Sequence, residues 1–197
     1  MQAALTAARR GHQVTLCEKA DRLGGAFLLA AAAPGKEPIL ALIEYLERQL
    51  QRVGVDIRLQ TEVTAQMASS GEFDAVILAT GAHQRDIVRT PGDWHGPLIM
   101  ADEVLAGRRD GLRAPVAIIG GNVTGTNVAH LLAEEGFECI IFQQGDALAA
   151  GVPAHAHTPL LEALDDLGVR VHTSTRVVAA QAGTITAQGP DGEWQYG

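Results

Sequence analysis

Cysteine is nearly absent from this chain of 197 residues, aromatic residues make up only 4% of it, and Lys and Arg are outnumbered by Asp and Glu, 15 to 23. Two isolated cysteines, Cys17 and Cys139, cannot form a disulfide framework, a metal knuckle or an iron–sulfur run. Each falls inside an apolar stretch and reads as a small buried residue, which fits a reducing, cytoplasmic setting. The net charge of −8 argues against a nucleic-acid partner, whose phosphates need a basic face. No apolar run approaches the roughly 20 residues of a membrane span, so no membrane partner is expected. Met1 leads straight into an amphipathic pattern rather than a secretory signal. The seven His residues are scattered, and no Ser-His-Asp order, nucleophile elbow or Cys-x-x-x-x-Cys redox pair accompanies them. No catalytic residue and no metal ligand is expected.

What is abundant is glycine, 22 residues, within a chain that is 47% hydrophobic. That combination suits an α/β protein with tight strand-to-helix turns. The chain also repeats itself: a shift of 125 places Ala4–Glu18 on Ala129–Gln143. Both copies read as helix, Gly stop and buried strand. In the second copy the helix follows an apolar strand, Val116–Ile119, and the turn Gly120-Gly121-Asn122-Val123-Thr124-Gly125. In the first copy the chain starts where the helix starts. The expectation is therefore a fragment truncated at both ends, whose first unit lacks its initial strand and Gly-rich turn. Losing a central strand exposes two sheet edges, which predicts aggregation, pairing of copies into a homo-oligomer, or a substitute strand.

The remaining pattern supplies the other elements. The spacing predicts a helix over residues 1–10, a strand over 13–18, an Ala/Leu-rich segment over 26–33, a helix opened by Pro38 and ended by Gly54, and a strand over 55–59. Phe73–Ala79 reads as a further buried strand finishing in Thr80-Gly81. A Pro/Gly/Asp-studded stretch with one short helix near 101–106 reads as a linker. Beyond the second copy a helix near 158–167, a strand over 169–173 and a three-stranded meander over 176–196 are expected. The predicted fold is two Rossmann-like, doubly wound, mainly parallel units: residues 1–90, a linker at 91–114, and residues 115–197.

Strand, Gly-rich turn and helix start is the layout that cradles a dinucleotide pyrophosphate. In the second unit Gly120, Asn122 and Gly125, with Gly121 between, hold the fingerprint positions. Asn tolerates the left-handed backbone such a turn can need, but its side chain fills space where a phosphate would approach. Gln143 stands where an acid would grip the ribose of NAD, and no Arg nearby suits a 2′-phosphate. An impaired or empty site is favoured over NAD(P)H binding. The first unit is the reverse case: Glu18 occupies the ribose position, Lys19 follows it, and Gly24 and Gly25 offer backbone donors beside it. Ala79, Thr80 and Gly81 are small enough for close approach to a nucleotide. Taken together these residues favour an FAD- or ADP-type site. His155 and His157 would share one side of an extended segment, but lack the companion ligands a metal needs. Trp94 and Trp194 read as rim or packing residues.

The segments Glu18–Gly25, Pro34–Glu37 and Phe73–Gly81 resemble the C-terminal FAD/NAD(P)-binding region of multidomain NADH:flavin oxidoreductases, the group of dienoyl-CoA reductase and of trimethylamine, dimethylamine and histamine dehydrogenases. The resemblance covers essentially the whole chain. It implies a parent enzyme in which a separate FMN-containing barrel, also carrying an iron–sulfur cluster, does the substrate chemistry. It further implies that Glu18, Gly25, Val63, Ala79, Thr80 and Gly81 face the adenosine part of FAD or ADP. Asn122 and Gln143 bring the chain nearer the amine dehydrogenase branch, where the inserted domain is degenerate. Ala26 departs from the Gln common after the paired Gly. Two rivals remain: a functional NAD(P)H:flavin reductase module, and a non-catalytic scaffold with vestigial sites.

Overall fold

The computed structural model describes residues 1–82, 98–181, 183–190 and 192–196; Trp94 and residues 91–97 of the expected linker lie outside them. The chain divides into two compact units, Met1–Ala31 with Gly35–Gln84, and Ala32–Pro34 with Arg85–Gly197.

The first unit holds α1 (Gln2–Arg9), β1 (Thr15–Cys17), α2 (Ala26–Ala31), α3 (Pro38–Arg52), β2 (Asp56–Arg58) and α4 (Ala65–Ala68). α1 stops where Gly11 takes φ +89°, and α3 begins with Pro38 in its first turn and ends before Gly54 at φ +75°. β1 and β2 pair in parallel, Thr15 opposite Asp56 and Cys17 opposite Arg58. Ala4 and Leu5 of α1, Leu23, Leu50 of α3 and Val55 form the core.

One expectation fails here. Phe73–Ala79 is not a strand, and its apolar side chains face solvent, with Ile77 68% and Leu78 78% exposed. An apolar run becomes a strand only where a neighbour takes its N–H and C=O groups, and among the described residues none does. α4, by contrast, was not anticipated. Thr64 caps it, its hydroxyl oxygen accepting the Met67 N–H at 3.2 Å.

The second unit holds α5 (Ala101–Leu105), β3 (Val116–Ile119), α6 (Val123–Glu134), β4 (Cys139–Phe142), α7 (Ala154–Asp166), β5 (Arg170–His172), and a meander of β6 (Arg176–Gln181), β7 (Thr184–Gly189) and β8 (Gly192–Tyr196). The parallel sheet runs β3-β4-β5, and the meander is an antiparallel β6-β7-β8 sheet. β4 is central, and all four of its residues are buried. Alternate side chains of a strand point to opposite faces. Cys139 and Ile141 accordingly pack with Val128, Ala129 and Leu132 of α6 and Leu164 of α7, whereas Ile140 and Phe142 pack with Ala180, Ile185 and Ala187 of the meander. A strand covered on both faces is apolar throughout, which is why Cys139–Phe142 shows no alternation in sequence.

α7 starts four residues before the expected 158 and takes in His155 and His157. Two residues apart on a helix, their side chains diverge by roughly 200° instead of sharing one side. His157 Nε2 lies 2.9 Å from the Leu148 carbonyl oxygen. No cluster of metal-ligating side chains occurs among the described residues.

Candidate nucleotide sites

In parallel α/β sheets the carboxyl ends of the strands are where turns open and ligands bind. In the first unit the chain leaves β1 at Glu18, whose N–H donates to the Arg58 carbonyl at 2.9 Å and whose carbonyl accepts the Thr61 N–H at 2.9 Å. Gln60, at φ +51°, donates its N–H to the Ala20 carbonyl at 2.9 Å. These bonds tie residues 18–20 to the loop after β2, which carries Val63. One Glu18 oxygen accepts the Ala20 N–H at 3.0 Å. A carboxylate has about four acceptor positions, so the rest stay available. Lys19 is exposed beside it. Gly24 at φ +128° and Gly25 at φ +50° then turn the chain into α2. A Cβ on Gly24 would lie 2.8 Å from Leu28 Cγ and 3.0 Å from Ile43 Cδ1, so glycine is required there by packing as well as by backbone angle. Sequence reasoning missed the part played by Gln60 and Thr61, because nothing local marks a non-glycine residue for the left-handed region.

Ala79, Thr80 and Gly81 are exposed, and no hydrogen bond among the described residues draws them to Glu18. The hydrogen bonds therefore join Glu18 and Ala20 to the loop that carries Val63, and none of them reaches Gly24, Gly25 or residues 79–81 among the described residues.

The second unit shows the complete turn. Ile119 lies opposite Phe142 in the ladder, and Gly120 donates its N–H to the Phe142 carbonyl at 2.8 Å. Gly120 has φ +103°. A Cβ on Gly125 would collide with the Gly120 carbonyl, so α6 rests directly on the turn. Both are what the first and third fingerprint glycines demand. Asn122, however, is extended (φ −71°, ψ −178°), not left-handed. Asn122 acts here as a helix cap: its Oδ1 accepts the Gly125 N–H at 2.9 Å. Gln143 Oε1 accepts the Gly121 N–H at 2.9 Å. The Gly121 carbonyl accepts the Ala149 N–H at 2.7 Å, and Leu148 packs where a Gly121 side chain would stand. Leu148 and Ala149 lie in a loop whose sequence carried no signal of this.

Two shallow grooves of about 630 and 600 Å³ lie elsewhere, one along α1 and Ile77, the other between α7 and β5. Neither is lined by an expected contact residue. The Cys139 thiol is pushed up to about 11 by burial and by the adjacent Glu138 carboxylate, so it stays protonated and unreactive near neutrality.

Strand, Gly turn, helix and strand in this order match a known profile, that of pyridine nucleotide-disulphide oxidoreductases, across residues 1–193. The chain belongs to that family. NADH oxidase of Thermoanaerobacter brockii is 32% identical over 201 aligned positions, covering 100% of this chain and 30% of the relative. Among solved structures, 2-naphthoyl-CoA reductase superposes with TM-score 0.86 at 23% identity over 99% of this chain and 29% of its own. Histamine dehydrogenase from Rhizobium sp. 4-9 does so with TM-score 0.86 at 22% identity, over 100% of this chain and 32% of its own. The chain thus spans about 30% of the length of the curated relatives it matches best in extent. The family and fold expected from the sequence stand, and FAD and NAD(P) binding is the chemistry that membership carries. In the first unit of this pyridine nucleotide-disulphide oxidoreductase region, Glu18 stands at the strand end with one oxygen on the Ala20 N–H. The second unit's turn does not fit a nucleotide as it stands, because its own side chains hold the Gly121 and Gly125 donors. No described helix is long and apolar enough to cross a membrane.

Proposed function

We propose that residues 1–90 position the adenine half of FAD or ADP within a flavin-dependent oxidoreductase, and that residues 115–197 form a second nucleotide fold braced for electron routing to or from an FMN-containing barrel of the same enzyme. The observation that carries this reading is Glu18 at the carboxyl end of β1, with one oxygen engaged by Ala20 and the rest open, directly before the Gly24-Gly25 turn. Glu18 accepts hydrogen bonds from the ribose hydroxyls, and Lys19 adds a positive charge on the exposed side. Gly24 and Gly25 let backbone approach the ligand, and Val63 supplies an apolar wall for adenine. Ala79, Thr80 and Gly81 close over the nucleotide once their segment is paired. A bound flavin supplies the redox chemistry, while these groups supply position and electrostatics. The substrate pocket and the iron–sulfur cluster belong to the barrel, so turnover by residues 1–197 alone is expected to be negligible.

Two edges left unpaired among the described residues, one side of β1 and the 73–79 segment, are where a second copy or the rest of the enzyme pairs. The two unpaired cysteines support a reducing, cytoplasmic location. Calorimetric titration with ADP and with FAD tests the nucleotide assignment. Glu18→Ala is expected to weaken ADP about tenfold or more, the worth of charge-assisted hydrogen bonds. Unchanged ADP affinity in that variant, or no binding of either nucleotide to the wild type, sinks the reading and leaves a non-catalytic scaffold.

A further inference from the structure

We propose that Gln143 and Asn122 are internal ligands of the second unit's turn and set its nucleotide affinity: their side-chain oxygens occupy the Gly121 and Gly125 N–H groups, so a nicotinamide nucleotide binds only by displacing them. The inference rests on reading the second unit as a nucleotide fold, and is separate from whether the first unit holds FAD or ADP.

The geometry that forces this closure starts in the ladder. β3 and β4 are in register to Ile119 and Phe142, so Gly120 and Gln143 follow side by side, and the turn then brings Gly121 to where a Cβ would lie 3.1 Å from Gln143 Cβ. The Gln143 backbone is pinned by its N–H bond to the His172 carbonyl at 2.8 Å and by the Thr175 N–H, which donates to its carbonyl at 2.9 Å. Its side-chain Oε1 takes the Gly121 N–H at 2.9 Å, while Nε2 lies over Gly145, where a Cβ would come within 2.9 Å of it. Glycines at 121 and 145 make the room for this amide. The turn is held from the other side too, by the Ala149 N–H on the Gly121 carbonyl at 2.7 Å.

Asn122 completes the closure at the helix start. Its Oδ1 takes the Gly125 N–H, and its carbonyl accepts both the Thr126 N–H and the Thr126 hydroxyl at 2.9 Å each. A pyrophosphate approaching α6 therefore meets a neutral oxygen already seated on one donor, and a ribose approaching β4 meets an amide that is already committed. At the matching position of the first unit, Glu18 turns along its own chain to Ala20 and leaves the strand end open. Acid and amide at one repeat position thus give an open end and a closed one.

The test is an NADH titration read at the Gly121 and Gly125 amide resonances, with hydrogen exchange of the same amides in the free protein. In the wild type the Gly121 amide should exchange slowly, and NADH should bind more weakly than about 1 mM. Gln143→Met keeps the volume and removes the acceptor; it should speed Gly121 exchange and tighten NADH about tenfold. Adding Asn122→Gly should tighten it again by a similar factor. Rapid Gly121 exchange in the wild type overturns the proposal without any variant. So does micromolar NADH binding that shifts Gly121 in the wild type, or a folded Gln143→Met protein with unchanged or weaker affinity. ADP binding lost in Glu18→Ala reports on the first unit alone, so failure there leaves this result readable.

Discussion

β1 and β4 are the same position of the repeat, Thr15–Cys17 against Ile140–Phe142, yet they live in different surroundings. Both follow a helix that stops at a glycine with φ +89°, Gly11 and Gly136. Both begin a parallel ladder in the same register, Thr15 opposite Asp56 and Ile140 opposite Arg170. β4 has a strand on each side and is fully buried; among the described residues β1 has one partner, and its three residues are only partly buried. The same local instructions therefore yield a core strand in one unit and an edge in the other. The number of neighbours makes the difference, because burial of a strand is supplied by what lies beside and above it.

That contrast predicts unequal costs for equivalent changes. Ile141→Ala removes a wholly buried side chain that packs from β4 against α6 and α7 and should destabilise the second unit by about 3–4 kcal/mol. Leu16→Ala at the matching site should cost about 1 kcal/mol, since less area leaves water there on folding. Urea unfolding followed by hydrogen exchange in each unit measures both, and equal losses would abolish the distinction between core and edge.

A smaller effect concerns pH. Phe142 pairs with His172, whose ring stacks on it at 5.5 Å and whose Nε2 lies 2.9 Å from the Tyr196 hydroxyl. Burial first, and then the neighbouring Arg170, hold His172 below its ordinary value of 6.5. The folded protein thus takes a proton on this imidazole less readily than the unfolded chain, which does so near 6.5. The stabilisation is fully present above that pH and is lost as pH falls through the lowered value. In the first unit the equivalent ladder position is Arg58, not a histidine. Urea midpoints should fall from about pH 7.5 to about pH 5 in the second unit only, and His172→Asn should flatten the profile. A parallel fall in the first unit would contradict the assignment.

The smallest stability change is expected at the open edge. Ile77→Lys with Leu78→Lys replaces two exposed apolar side chains and should move stability by less than about 0.5 kcal/mol. Light scattering should nevertheless show less self-association, because lysine on a free edge blocks pairing. Unaltered association would put the contact elsewhere.

Much of this was legible residue by residue. Gly11, Gly54 and Gly136 ended helices where expected, Pro38 opened α3, and Val116–Phe142 gave strand, turn, helix and strand. Glycine's access to positive φ, proline's fixed φ and the alternation or continuity of apolar residues act within a few positions of the chain, so they are written in it. The segments Glu18–Gly25, Pro34–Glu37 and Phe73–Gly81 carried the family. Phe73–Ala79 reads as a strand by composition and is not one, because pairing needs a neighbour in space. The extended Asn122, the Gln143 amide drawn to Gly121, and Leu148 and Ala149 closing over that turn were likewise decided by which groups meet when distant segments fold together. Periodicity and backbone preference are properties of a stretch of chain; the partner of a hydrogen bond is a property of the packed molecule.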